Sequence, residues 1–196
     1  MRARLAAAAA AVFTLGAAIA GPAVAGANLE GWYPPADPES ASVRLGRRNA
    51  PLVTLPLSGG RPTLDALGRA VLAAVSDESA EEMLALCVSR KEFEVILWPE
   101  FPESRPATGL LPIDAWRALG NRLTSGCRGA VSDHGGQAWT FVRVEATAGV
   151  RAYRNFRLHR GLVLVARNAA GEEWRFDFLR TAVERKGVFK IYSLRD

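Results

Sequence analysis

The sequence is poor in the residues that build metal and nucleophilic sites. It has two cysteines, two histidines and three lysines among its 196 residues. The cysteines form no CxxC pair, and no cysteine–histidine cluster has the spacing of a zinc site. Serine-nucleophile, phosphate-loop, HExxH and calcium-loop motifs are absent as well. We therefore expect no metal and no cofactor.

Long hydrophobic runs are also lacking, except at the amino terminus. Residues 1–4 carry two arginines, residues 5–20 form an uncharged, alanine-rich run, and residues 23–25 are small. This order is that of a secretory signal peptide. Glycine interrupts the run, which favours a cleaved signal over a membrane-spanning helix. We expect cleavage between Ala25 and Gly26, a periplasmic or secreted protein, and no transmembrane segment in the mature chain.

Positive charge is spread along the chain rather than concentrated in one segment. Arginine outnumbers lysine 22 to 3, a bias typical of a G+C-rich bacterial coding sequence. The arginines alternate with acidic residues, whereas a nucleic-acid surface has a basic stripe with stacking aromatics. We expect no nucleic-acid partner.

The two cysteines, Cys87 and Cys127, each lie near the end of a predicted helix. In an oxidising compartment such a pair can persist as a disulfide, which would stabilise the fold by about 3–4 kcal/mol on the loop-entropy model. Two buried free thiols that act as small apolar groups fit the sequence equally well. The pair is a disulfide candidate.

Proline divides the chain into an arm and a domain. Six of the 11 prolines fall within residues 26–62, and proline lacks the N–H that a helix needs. We expect an extended arm or linker there, whose segment 52–55 forms a short strand or packs along the domain. Residues 63–196 then form a single domain of ordinary size.

Helical signals occupy the middle of the chain. An apolar stripe at helical spacing follows Thr63, which is a good helix cap. Ser79 and Ser89 are each followed three residues later by glutamate, and this pattern predicts two further capped helices. We expect the third helix to end at Pro99 and a fourth to begin near Ile113, after a proline-rich loop.

After the Gly135-Gly136 pair the period of the apolar residues changes to two, which is typical of strands with one wet face. A bend is expected at Gly161. Helices followed by an antiparallel meander of about four strands indicate an α+β fold. The predicted strands cover residues 139–146, 153–167, 173–183 and 188–194.

The carboxyl end carries a family resemblance. Residues 184–194 read ERKGVFKIYSL, in which a glycine turn leads into an aromatic-Lys-Ile-aromatic run. With the order of elements, this run resembles the closing strand of the NTF2-like (cystatin-like) superfamily. The LWPE segment at 97–100 is similar to small exported bacterial proteins of unknown function. The resemblance implies a cone-shaped fold with a pocket between the concave sheet and the first helices. It implies no activity, because members include isomerases, dehydratases and pure binding domains.

Candidate catalytic residues are few. Enzymes of that superfamily commonly use an acid or a His/Asp pair inside the pocket, and here the candidates are His159 and Asp177. A general base needs burial and a raised pKa to work near neutral pH. Strand alternation instead predicts that both side chains lie on charged outer faces. His134, beside two glycines, is expected to be a solvated loop residue.

Three aromatic residues are candidates for a ligand pocket: Trp98, Trp116 and Tyr153. Pockets favour aromatic side chains with a few polar groups, although such tryptophans more often belong to the hydrophobic core.

These observations predict an exported, non-catalytic NTF2-like domain that binds a small apolar ligand or a protein partner in the bacterial cell envelope. The alternative is a pocket enzyme of isomerase, dehydratase or hydrolase type that uses His159 with a pocket carboxylate such as Asp177. A homodimer formed through the outer sheet face stays open.

Overall fold

The structure is a computed structural model that describes residues 50–195, in which helices precede strands. The α+β class is therefore confirmed. The signal peptide, its Ala25–Gly26 cleavage point and the arm up to residue 49 lie outside the described residues. The helices are α1 (Leu64–Ser76), α2 (Ala80–Ala85), α3 (Arg90–Glu92) and α4 (Pro112–His134). The strands are β1 (Thr140–Ala146), β2 (Val150–Ala152), β3 (Arg157–Arg160), β4 (Leu162–Arg167), β5 (Glu173–Phe176), β6 (Leu179–Arg185) and β7 (Val188–Leu194).

The strands form two antiparallel sheets, with the orders β1-β4-β5 and β2-β3-β6-β7. The expected single meander of about four strands is corrected in this respect. Two of the predicted strands are each divided into two. The first becomes β3 and β4 and the second becomes β5 and β6, and in each case the chain passes from one sheet to the other. The bend at Gly161 is confirmed, and its φ of +62° is a conformation that glycine adopts without a Cβ clash.

Side-chain caps begin the first three helices where the sequence predicts them. The Thr63 hydroxyl accepts a hydrogen bond from the backbone N–H of Ala66, and Ser79 caps α2 in the same way. Ser89 and Glu92 form a complete capping box, in which each side chain accepts the other's backbone N–H. These local signals fix where each helix starts.

The third helix does not end at Pro99. After α3 the chain continues as a π-helical turn, Phe93–Leu97, and then as a 3-10 turn, Trp98–Glu100. Pro99 occupies an early position of the 3-10 turn, where its missing N–H breaks no helical bond. The continuation buries both Trp98 and Glu100.

The hydrophobic core lies where α1 and α4 pack on the sheets. Leu67 of α1, Leu123 of α4 and Leu164 of β4 are almost fully buried. Gly68 permits the close approach of α1 to β1, because a Cβ at this position would stand 2.4 Å from the Val144 side chain. Any larger residue there would push the helix away from the sheet.

The described part of the arm, residues 50–62, contains no strand and packs along the domain. Leu57 joins the hydrophobic core, and Arg61 forms an isolated β-bridge with Phe189 of β7. Of the two expectations for segment 52–55, packing along the domain is the one observed.

Candidate functional site

A cavity of about 510 Å³ opens between the loop after α3, helix α4 and the four-stranded sheet. Its volume lies in the range of small-molecule sites. We call it the aromatic cavity, because five of its lining residues are aromatic. Its lining residues are Phe93, Trp98, Phe101, Pro102, Glu103, Leu110, Ala115, Ala118, Leu119, Arg122, Arg151, Tyr153, Leu158 and Tyr192.

The aromatic walls are held in place by contacts among the rings. Phe101 meets Tyr153 edge-on at a centroid distance of 5.6 Å and lies 5.9 Å from the Tyr192 ring. Tyr153 stacks on Phe156, with centroids 4.5 Å apart. Edge-on and offset geometries are the favoured arrangements of aromatic pairs, so these contacts stabilise the positions of the rings in the cavity wall.

Two phenolic hydroxyls in these walls lack hydrogen-bond partners in the part of the chain that the structure describes. Within residues 50–195, the hydroxyl groups of Tyr153 and Tyr192 make no hydrogen bond. Buried tyrosine hydroxyls usually find a partner. Burial raises the pKa of both side chains, so each phenol stays protonated at neutral pH and can donate a hydrogen bond. Both tyrosines line the aromatic cavity, whose wall therefore includes two phenols able to act as donors.

Three charged residues border the aromatic cavity: Glu103, Arg122 and Arg151. The Arg151 guanidinium carbon lies 5.5 Å from the centroid of the Tyr153 ring. Arg122 is exposed on α4 and has no ion-pair partner among residues 50–195. Burial dominates the raised pKa of Tyr192, and within that shift Glu103 raises the pKa while Arg122 lowers it. Both charges therefore act on this phenol.

A second cavity has a volume of about 470 Å³, and Trp116 and Lys190 are among its lining residues. The Trp116 ring lies 5.7 Å from the ring of Phe93, which lines the aromatic cavity, so the two cavities are neighbours. Of the three predicted pocket residues, Trp98 and Tyr153 line the aromatic cavity and Trp116 lines its neighbour.

The two candidate catalytic residues are not brought together. His159 Nε2 lies 2.8 Å from Glu184 Oε2, whereas Asp177 is 59% exposed and pairs with Arg195. Leu158 lines the aromatic cavity, and strand alternation directs its neighbour His159 to the opposite face of the sheet. Neither candidate lines the aromatic cavity.

His134 differs from its expected position in a solvated loop. It is the last residue of α4, and its ring lies 4.9 Å from the Phe176 ring and stacks on Phe178 at 5.7 Å. Its carbonyl accepts a hydrogen bond from Trp139 Nε1 at 3.0 Å. The glycines that suggested a loop begin one residue later, so the helix retains this histidine against the aromatic side chains.

The most heavily charged buried region of the domain, which sequence analysis missed, lies near residues 50–58 of the arm. It contains Glu92, Glu100, Asn155, Arg185 and Lys190, none of them more than 7% exposed. We call these five residues the latch cluster. No local pattern marks them as a buried cluster, although the capping-box pattern of Ser89 does include Glu92.

The latch cluster binds the arm through main-chain atoms. Arg185 donates hydrogen bonds to the carbonyl oxygens of Val53 and Leu55 and to that of Asn155. The Asn155 side chain accepts from the Val53 N–H at 2.8 Å and donates to the Pro51 carbonyl at 2.8 Å. The arm thus obtains from buried side chains the hydrogen bonds that a neighbouring strand would otherwise supply.

The two acidic members of the cluster, Glu100 and Glu92, also have hydrogen-bond or ion-pair partners. Glu100 accepts the backbone N–H groups of Arg154 at 2.6 Å and Asn155 at 2.7 Å. Glu92 Oε2 lies 2.8 Å from Lys190 Nζ.

The pKa of Glu92 reflects these contacts. Burial by itself raises the pKa of Glu92, but hydrogen bonds from Lys190, Ser89 and Ser58 outweigh it and hold the pKa below its usual value. The buried carboxylate therefore stays ionised at neutral pH.

The two cysteines are buried neighbours. Their sulfur atoms lie 3.9 Å apart, and the structure has them as free thiols. The hydrogen bond with Cys127, followed by burial, raises the pKa of Cys87. The disulfide stays a prediction.

The outer face of the three-stranded sheet is charged. Glu145 pairs with both Arg143 and Arg175, and Glu173 pairs with Arg143 and Arg167. Such a face lacks the apolar centre of a stable dimer interface. The homodimer stays a prediction that this surface does not support.

No protein-family model, curated protein or solved structure matches the chain. Residues 50–195 contain no group of three or more His, Cys, Asp or Glu side chains suited to a metal ion. Among the same residues, every helix is too short or too polar to cross a bilayer. The function must therefore be argued from the aromatic cavity itself.

Proposed function

We propose that the protein is an exported, non-catalytic binding domain of the NTF2-like kind, which holds a small apolar ligand in the aromatic cavity. The observation that carries the proposal is a cavity with five aromatic lining residues and two phenolic hydroxyls that have no hydrogen-bond partner among residues 50–195. Apolar walls with a few convergent polar groups are the features of a ligand site. Export rests on the amino-terminal sequence, and the family on residues 184–194.

Binding fits the cavity better than catalysis does. The ionisable residues that line it are Glu103, two arginines and the two tyrosines, with no histidine and no buried carboxylate. General acid–base catalysis near neutral pH needs a group that titrates there, and the raised pKa values of Tyr153 and Tyr192 move them away from that range. The cavity is therefore equipped to hold a molecule rather than to transfer its protons.

A small ligand also fits better than a protein partner. The cavity is concave and its aromatic residues are largely buried, with Trp98 and Phe101 each 8% exposed. Protein partners usually need a broad accessible surface with projecting side chains.

Native mass spectrometry of the full chain, expressed with its own amino terminus in a bacterial host and recovered from the periplasm, tests the proposal. We expect a discrete extra mass that is lost on denaturation, and a denatured chain that begins at Gly26. The variant Leu119→Trp, which places a larger ring in the cavity wall, should lose the extra mass. Leu111→Trp is the matched control, because Leu111 is 58% exposed and does not line the cavity.

The result that overturns the proposal is a ligand-free protein that also fails to bind apolar fluorescent probes. A probe that binds equally well to the Leu119→Trp variant would place the binding site elsewhere and would overturn it too.

A further inference from the structure

The second cavity combines the volume of a small-molecule site with a single charged side chain in its wall. It measures about 470 Å³, and its lining includes the Trp116 ring, Gly120 of α4 and the Lys190 side chain. Among the lining residues that the structure describes, Lys190 is the only charged one. A molecule in this cavity would therefore meet largely uncharged walls and one ammonium group.

Lys190 is buried and has hydrogen-bond donors that the protein does not use. The residue is 3% exposed, and its Nζ donates to Glu92 Oε2 at 2.8 Å. An ammonium group has three N–H donors, and this is the only hydrogen bond that Nζ makes within residues 50–195. A buried donor without an acceptor is costly, so the two remaining N–H groups favour an acceptor atom in the cavity.

The charge of Lys190 is also felt at another part of the cavity wall. Cys87 lines the same cavity. Hydrogen bonding with Cys127, followed by burial, raises the pKa of the Cys87 thiol, and the charge of Lys190 acts in the opposite direction. The net effect is a raised pKa, so this thiol adds no charge to the wall at neutral pH.

The charge balance indicates a neutral ligand. Lys190 and Glu92 form an ion pair whose side chains are 4% and 3% exposed, so the charge of the lysine is already compensated. An ion that entered the cavity would lose hydration without gaining a counter-ion. We propose that the second cavity binds a neutral, largely apolar molecule with a carbonyl oxygen, such as a ketone, ester or amide, which accepts a hydrogen bond from Lys190 Nζ. This site is separate from the aromatic cavity and does not depend on the proposed function.

Two neutral naphthalene probes that differ at one carbonyl group test the inference. One is the ketone 6-propionyl-2-(dimethylamino)naphthalene, and the other is 6-propyl-2-(dimethylamino)naphthalene, in which a methylene group replaces the carbonyl. The purified full chain carries Leu119→Trp, which fills the aromatic cavity. We expect the ketone to bind about tenfold more tightly than its analogue, because its oxygen accepts from a charged donor. The anion 6-(dimethylamino)-2-naphthoate should bind more weakly than the ketone by about tenfold or more.

Two glycines of α4 provide a blocking variant and its matched control. Gly120 lines the cavity, and the nearest atoms to a Cβ added there would be those of the Trp116 ring, at 3.6 Å or more. Gly120→Leu therefore fits the helix, places its remaining atoms in the cavity and should abolish binding of the ketone. Gly129 does not line the cavity and has open space around an added Cβ, so Gly129→Leu should change the affinity by less than about twofold.

The role of the ammonium group is tested by Lys190→Met combined with Glu92→Gln, which leaves no unpaired buried carboxylate. This double variant should bind both probes with nearly equal affinity. The inference is overturned if the preference for the ketone survives in it, if Gly120→Leu binds the ketone as well as Gly129→Leu does, or if the naphthoate binds more tightly than the ketone. The proposed function is decided separately, by comparing Leu119→Trp with Leu111→Trp.

Discussion

The aromatic cavity and the latch cluster are neighbouring regions that differ in whether their polar side-chain groups have partners within the protein. Strand β7 contributes Lys190 to the cluster and Tyr192 to the cavity, two residues apart along the chain. Lys190 is paired with a carboxylate at 2.8 Å, whereas the Tyr192 hydroxyl has no partner among residues 50–195. Buried polar groups that have hydrogen-bond partners stabilise a fold. A buried polar group without a partner calls for an explanation, such as a bound molecule. The contrast separates the part of the domain that holds the arm from the part that we propose to bind a ligand.

The largest expected effect lies in the latch cluster. Arg185→Met removes the donor to three carbonyl groups, two of them in the arm. Each buried carbonyl left without a partner costs about 1–3 kcal/mol, so we expect a loss of about 3–5 kcal/mol in the free energy of unfolding. Denaturant titration measures this loss, and limited proteolysis should show new cleavage within residues 50–60.

Arg180→Met is the matched control, because Arg180 lies on the same strand, is exposed, and has no hydrogen bond or ion pair among the described residues. It should change the free energy of unfolding by less than about 0.5 kcal/mol. If the two variants are equally stable, the buried hydrogen bonds of Arg185 do not hold the arm. The latch cluster would then not differ from the cavity in its contribution to stability.

The two cysteines lie on or beside elements that the two regions share. Their oxidation has the next largest expected effect on stability. Cys127 lies on α4, which also lines the cavity, and Cys87 forms a backbone bridge with Ile191 of β7. Oxidised glutathione should take up two electrons and two protons and close a bond between sulfurs that are now 3.9 Å apart. A 40-residue loop predicts stabilisation by about 3–4 kcal/mol.

The mass of the denatured, unreduced chain measures this closure, since it falls by two hydrogens. The denaturation midpoint of the oxidised protein should rise, while that of Cys87→Ser with Cys127→Ser should be unchanged by glutathione. Glutathione attached to each cysteine separately, with no internal bond, would contradict the prediction.

A smaller loss is expected for Lys190→Met, which leaves Glu92 without its cation. Breaking a buried ion pair commonly costs about 3–5 kcal/mol. Here Ser58 and Ser89 still donate to the carboxylate, so we expect a loss of about 2–3 kcal/mol. Adding Glu92→Gln to Lys190→Met should recover part of the loss, because the unpaired charge is removed.

The same carboxylate predicts a dependence on pH. The folded pKa of Glu92 is lowered from 4.5, so its contribution to stability is present well above pH 4.5 and is lost as pH falls through the lowered value. Acid titration of stability should therefore be shallower in Glu92→Gln than in the unsubstituted protein. Equal slopes for the two proteins would show that the Glu92 pKa is not lowered by folding.

The sequence predicted those features that depend on near neighbours. The Thr63 and Ser89 caps and the Gly161 bend follow from a few adjacent residues, and all three are confirmed. The short strand β2 was missed, because three residues next to a glycine carry no periodic signal. The division of the longer strands between two sheets is set by packing and not by alternation.

The latch cluster was missed for a different reason. Arg185 bonds to residues 130 and 132 positions earlier in the chain, and Glu100 to one 55 positions later. Such contacts arise from the way the chain folds back on itself, and no spacing in the sequence records them. Two of the predicted cavity residues, Trp98 and Tyr153, could be named because pocket walls favour aromatic side chains.

The smallest expected effect on stability lies in the aromatic cavity and completes the comparison. Tyr192→Phe removes a hydroxyl that has no partner among residues 50–195, so the substitution breaks no hydrogen bond of the folded state within these residues. We expect the free energy of unfolding to change by less than about 0.5 kcal/mol, or to rise slightly, because the unfolded chain no longer gains the hydration of that hydroxyl. Binding of an apolar fluorescent probe in the aromatic cavity should weaken about fivefold, the value of one hydrogen bond. A stability loss above about 1.5 kcal/mol with unchanged binding would mean that this hydroxyl is a structural group like those of the latch cluster.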